Sequence, residues 1–181
     1  MRTFEKDMEL AIAYHGHLCS GQCIGVKMAH YAMNLLGLDN ESEQTKMKAF
    51  VECDRCPADA IAIATGCRIG RRSYKSYDYG IIAASFLNMN TGKAVRIYHK
   101  KRIHPQDGED MIAFYKNLPF EEMLSFQNVK IELKPCDLAG PPIEDINCEI
   151  CGENVIDSRH VVKNGKKLCQ ACAGGGYYTI L

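Results

Sequence analysis

Four cysteines near the C-terminus constrain the fold most. They fall as Cys148-x-x-Cys151 and Cys169-x-x-Cys172, with 17 residues between the two pairs. Each pair can form a tight knuckle with both sulfurs on one side of a turn, and two facing knuckles complete a tetrahedral tetrathiolate site. The intervening ENVIDSRHVVKNGKKL places Asn164-Gly165 between the strand-prone SRHVV and KKL, the expected hairpin of a zinc ribbon. Zinc is the expected occupant; an iron–sulfur cluster or a rubredoxin-like iron uses the same sulfur spacing. A unit of about 35 residues buries too little apolar surface to fold on packing alone, so its metal must supply most of the folding energy.

The segment KPCDLAGPPIEDIN, residues 134–147, holds three prolines and a glycine and follows neither helical nor strand periodicity. It reads as a linker. The expected organisation is a core domain over 1–134, a linker over 135–147 and the ribbon over 148–181. The closing GGGYYTIL carries aromatics suited to docking on another surface.

Composition limits what the core can be. The chain has 181 residues and is 46% apolar, enough for a real core. Lys+Arg and Asp+Glu both number 22, and this zero formal charge argues against a phosphate-backbone partner. No apolar run approaches the ~20 residues needed to span a bilayer, and MRTFEKDMELAI lacks the pattern of a secretory signal. The expected location is the cytoplasm, where ten cysteines point to metal ligation or thiol chemistry rather than disulfides.

The core is expected to be α+β, a mixed helix and sheet domain. Phe4, Met8, Ala11 and Ile12 share a helical face over 4–14, with Thr3 as N-cap. A second helix is expected from about Gly21 to Leu36, capped by Ser20 and stopped by Gly37. KMKAFVE (46–52) reads as a strand, and Pro57 opens a short helix closed by Gly66. Residues 80–88 and 93–99 form an expected hairpin; EDMIAFYKNL and PFEEMLSF read as helices, and NVKIEL as a last strand.

The stretch HGHLCSG, residues 15–21, falls at the junction of the first two helices. Imidazole and thiolate are the side chains best suited to borderline and soft metals, and thiolate is a strong nucleophile. Cys19 lies just before a helix N-terminus, where free N–H groups favour a thiolate; Cys56 is similarly placed before Pro57. Convergence of these two ends would form a cleft with His17 as base or ligand. His15 reads as a structural residue holding the loop, His30 as a surface or packing residue, and Cys23 as a small buried hydrophobe. Asp59, in the first turn of its helix, complements the dipole or takes part in catalysis.

HGHLCSG, CPADAIAIATGCRIG (56–70) and CEICGENV…GKKLCQACAGGGYY (148–178) together resemble the FmdE family, named after a component of formylmethanofuran dehydrogenase, whose members often carry a C-terminal zinc ribbon. The resemblance covers nearly the whole chain. It implies an α+β core, a homodimer and one cleft presenting His17, Cys19, Cys56, Asp59 and Cys67 as functional residues, with His17, Cys19 and Cys56 as ligands of a second, transition metal. Where many relatives continue Gly-Lys-Gly-Asn, this chain has Gly70-Arg71-Arg72-Ser73, and Ser20 stands where proline is common. Three functions are compatible with these motifs. One is a metal-binding accessory or subunit of a redox, one-carbon complex. Another is a stand-alone enzyme with Cys19 as nucleophile or redox thiol and His17 as base. The third is a zinc-ribbon regulatory module using Arg71, Arg72 and HKKR (99–102) on a partner or nucleic acid, the least favoured because HKKR reads as a solvated loop.

Overall fold

A computed structural model describes residues 1–38 and 46–179; Ile180 and Leu181, at the end of the predicted docking segment, lie outside them. The chain forms two compact units, Met1–Ile131 and Glu132–Leu181.

The first unit is a mixed α+β domain. Its helix α1 (Phe4–His15) starts at Thr3, whose hydroxyl accepts the Lys6 N–H, and ends at Gly16, whose φ of 93° only glycine adopts without strain. Helix α2 (Ser20–Leu36) stops at the left-handed Gly37, as expected. Its N-cap is Cys19, one residue before the expected Ser20, and every residue from Gln22 to Met33 is buried. A helix buried all round is a central element rather than an amphipathic surface one. His30, expected at the surface or in packing, is buried with its Nε2 2.7 Å from Asp7 Oδ2, and Asp7 also accepts from Arg2 Nε at 2.5 Å. Lys27 is buried too, donating to the carbonyls of Tyr115 (2.7 Å) and Leu118 (2.5 Å).

Strand β1 (Met47–Val51) leads through α3 (Cys56–Thr65) to the short strand β2 (Tyr74–Ser76), which pairs parallel to β1. The hairpin β3 (Ala83–Asn88) and β4 (Ala94–His99) is antiparallel as expected, and β5 (Leu124–Val129) completes the sheet order β2-β1-β3-β4-β5. Helix α4 (Met111–Asn117) is followed by one turn, α5 (Phe120–Met123). Two expectations are corrected here. PFEEMLSF is helical only to Met123, and the final strand begins at Leu124 rather than Asn128, because Leu124 to Val129 pair with His99 to Ala94 along the open edge of β4. Strand β2 has no signal in the sequence; three residues carry no periodicity, and pairing with β1 makes it.

What positions the functional residues is the crossing of α2 over α3. An added Cβ at Gly21 would lie 2.8 Å from Cys56 Cβ, and one at Gly25 would lie 2.6 Å from the Pro57 carbonyl oxygen. The two glycines, four residues apart on one face, let the backbones meet. Around this crossing Met8, Met28, Met33, Ile61, Phe86 and Ile97 form the core.

The second unit is a small ribbon of two antiparallel pairs, β6 (Ile146–Asn147) with β7 (Asn154–Val155) and β8 (Val161–Lys163) with β9 (Lys166–Leu168). Asn164 and Gly165, with φ of 52° and 78°, form the tight turn of the second pair, as a two-residue primed turn requires. Lys167 N donates to Glu149 Oε1 at 2.6 Å and Glu149 N to the Lys167 carbonyl at 3.1 Å, tying the first knuckle to the hairpin. Tyr177 and Tyr178 are exposed.

Candidate metal centres

In the first unit the left-handed Gly16 ends α1 and turns the chain ahead of α2. His15, the last residue of α1, and His17, just past the turn, thereby bring their ring centroids to 4.7 Å. Cys19 at the head of α2 gives its backbone carbonyl to the N–H groups of Gln22 and Cys23, and its side chain makes no capping hydrogen bond. One ligating atom from each of His15, His17 and Cys19 lies within 4.8 Å of the others. Two imidazoles and a thiol form a borderline donor set suited to zinc and other late first-row metals, and three protein ligands leave one coordination position for water or substrate.

His15 carries the strongest local signature. Its Nδ1 is 2.8 Å from Asp59 Oδ2, and its Nε2 is buried without a hydrogen-bond partner. An ionised carboxylate can only accept, so Nδ1 donates this hydrogen bond, and in the neutral imidazole Nε2 then presents a lone pair. A carboxylate behind an imidazole in this way fixes its tautomer and ring direction, the usual arrangement behind a metal-ligating histidine.

The structure redistributes the residues singled out in the sequence. His17 and Cys19 come together, and the residue grouped with them is His15. Cys56 neighbours Cys19, with Gln22 Nε2 donating to its carbonyl at 2.7 Å. Burial first, then the neighbouring Cys19 thiol, pushes its thiol above the ordinary range, against the pull of the backbone N–H at the helix N-terminus. Cys67 does not join. It follows the other end of the ten-residue α3, about 15 Å away at 1.5 Å per residue, with its buried Sγ 3.5 Å from the Met47 carbonyl and its pKa raised by burial. Cys23 is fully buried, its pKa pushed up to about 12 chiefly by desolvation.

His15 as a member of the cluster is what sequence reasoning missed. The His-x-His spacing about a glycine was its available signal.

In the second unit one sulfur from each of Cys148, Cys151, Cys169 and Cys172 lies within 4.8 Å of the others, and the Cys151 and Cys169 sulfurs are 3.9 Å apart. Such a cluster could hold a metal ion. Backbone N–H groups, led by that of Cys151, bring the Cys148 thiol down to about 6, while the Cys169 sulfur beside Cys172 pushes the Cys172 thiol up to about 12. Four thiols at one point cannot all ionise without a cation, and a bound metal removes that conflict.

The family described as "FmdE, Molybdenum formylmethanofuran dehydrogenase operon" matches residues 14–125. A solved structure of a tungsten formylmethanofuran dehydrogenase FmdE-like protein from Syntrophus aciditrophicus superposes with a TM-score of 0.62 at 25% identity, over 97% of this chain and 95% of the other. A "Probable S-adenosyl-L-methionine-binding protein" of Archaeoglobus fulgidus is 28% identical over 93% of this chain. The chain spans about half the length of that relative, 52%. Among the described residues no helix is long and apolar enough to cross a membrane.

Proposed function

The chain belongs to the FmdE family, and from that premise we propose that it is a two-metal protein acting as an accessory or subunit of a redox complex of one-carbon metabolism. In this reading the four ribbon cysteines hold a structural zinc. His15, His17 and Cys19 hold a second transition metal, whose open position would supply Lewis-acid or redox chemistry. Asp59 is a positioning residue that orients His15, and Cys56 flanks Cys19. The protein works in the cytoplasm as a homodimer beside catalytic subunits; the family's association with a formylmethanofuran dehydrogenase operon supports the presence of such subunits.

The observation that carries the reading is the buried, unpartnered His15 Nε2, held by Asp59 within the His15, His17 and Cys19 cluster. An imidazole nitrogen left without a partner costs on the order of 1–3 kcal/mol, and a metal bond removes that cost. Metal content per chain tests it. The full chain should carry two metals, and a His17→Ala, Cys19→Ser double variant should carry one. One metal in both would refute the core site.

A second reading, favoured by the neighbouring placement of Cys19 and Cys56 at two helix N-termini, makes Cys19 a nucleophile or redox thiol with His17 as base. It predicts a single metal per chain and rapid stoichiometric alkylation of Cys19.

A further inference from the structure

Beside the proposed core metal site, α1 and α3 enclose a cleft of about 800 Å³, the size of pocket that takes a small organic molecule. Its walls are apolar along their length, with Leu10, Ala13 and Tyr14 from α1 and Ala62 and Ile63 from α3. The two ends differ in charge.

At the N-terminal end of α3 the wall includes Asp59, the residue that holds His15. Its Oδ2 is taken by His15, whereas its Oδ1 has no hydrogen-bond partner among the described residues, and its side chain is 43% exposed. Past the C-terminal end of α3 the wall includes Arg68. The Arg68 guanidinium makes no hydrogen bond or ion pair among the described residues; only its backbone is used, its N–H donating to Ser73 Oγ at 2.9 Å. Arg2 also borders the cleft, but its guanidinium is committed to Asp7 and to the carbonyls of Ile63 and Ala64. One uncommitted cation therefore lies past the end of α3, an end about 10 Å along the helix from Asp59 at 1.5 Å per residue from Asp59 to Gly66.

We propose that this cleft is the substrate pocket of the His15, His17 and Cys19 site and takes an elongated organic oxyanion. The carboxylate or phosphate binds Arg68, the apolar body lies along Leu10, Ala13, Ala62 and Ile63, and the far end reaches Asp59 and His15. A guanidinium with all its donors free suits a two-oxygen anion, and the apolar channel adds contact area that a short, fully hydrated anion cannot use. The assignment rests on the core metal reading for what happens at the far end, whereas the binding itself does not.

The test is an amide chemical-shift titration of the full, metal-loaded chain with octanoate, octyl phosphate and octanol, run beside a metal count. Octanoate or octyl phosphate should shift the amides of Ala13, Ala62 and Ile63, and octanol should need at least about tenfold more ligand. Arg68→Gln should weaken the acids about tenfold or more, the loss of a charge-assisted bidentate contact, with the metal count and octanol affinity unchanged. The stronger of the two acids identifies the oxyanion. Equal binding of octanol, indifference to Arg68→Gln, or shifts confined to other residues would overturn the proposal. Arg68-dependent binding to a chain that carries no core metal would uphold the pocket and sink the metal reading.

Discussion

Gly25 lies at the crossing that brings the core site together, and replacing it with alanine tests that geometry. The new Cβ would meet the Pro57 carbonyl oxygen at 2.6 Å, the Ala60 Cβ at 2.7 Å and the Pro57 Cα at 2.8 Å. Two of these three atoms are backbone of α3, so no side chain can swing away and the helices must move apart. Overpacking of this kind costs up to about 3 kcal/mol, and alanine recovers about 1 kcal/mol over glycine in a helix interior. The net expectation is a destabilisation of about 2 kcal/mol. In urea, followed by far-ultraviolet circular dichroism, that should lower the midpoint by about 1 M. The same movement draws Cys19, at the head of α2, away from α3 and Asp59, so core metal affinity should fall with stability. Gly70→Ala is the control, since its Cβ would meet nothing within 4 Å; its effect should stay within about 0.5 kcal/mol. A midpoint for Gly25→Ala that rises, as for an open helical glycine, would refute the close crossing.

Other perturbations separate the two sites and probe the core. Asp59→Asn, which removes the charge behind His15, should lower metal affinity of the core site by about 10–100-fold and leave the ribbon metal in place, measured by competition with a chromophoric chelator. Chelation of the ribbon metal should collapse amide protection in β8 and β9 while the helical signal of the first unit persists; retained protection would count against a metal-dependent ribbon. Lys27, whose ammonium is pushed down to about 8 mainly by burial, binds its proton less readily in the folded chain than in the unfolded one, where the value is 10.5. Between those values the unfolded chain holds the extra proton, so stability should rise as pH climbs from 8 to 10.5, by at most about 3 kcal/mol, and be flat with respect to this group below 8. Lys27→Met should remove that rise, and an unchanged difference between the two pH values would contradict the assignment.

Much of the fold is written in local punctuation. Thr3, Gly37 and Gly66 end or begin helices by their own capping chemistry, and Asn164-Gly165 makes its turn wherever it falls between strands. The edges of the sheet are not local in this sense. Strand β2 exists because β1 offers an edge, and β5 displaces a helical pattern because β4 leaves one open. The candidate sites divide in the same way. Two Cys-x-x-Cys pairs announce a tetrathiolate because each knuckle is made within four residues, and His17 with Cys19 is legible from a single turn. His15 and Asp59 are 44 residues apart and meet only once α1 has packed on α3, so the sequence alone marks His15 as a loop-holding residue. Cys56 and Cys67, continuous in CPADAIAIATGC, flank opposite ends of a helix, a separation its Pro57 start and Gly66 stop already mark in the sequence.

Anomalous diffraction from crystals of the full chain, purified without added metal and measured at the absorption edges of the metals it carries, tests the two-metal reading most directly. Two peaks per chain are expected. One should lie among Cys148, Cys151, Cys169 and Cys172; the other should be bonded to His15 Nε2, His17 and Cys19 Sγ, at about 2.0–2.1 Å from nitrogen and 2.3 Å from sulfur if the ion is zinc. A peak at the four cysteines alone, with His15 Nε2 facing solvent or another protein group, would contradict it.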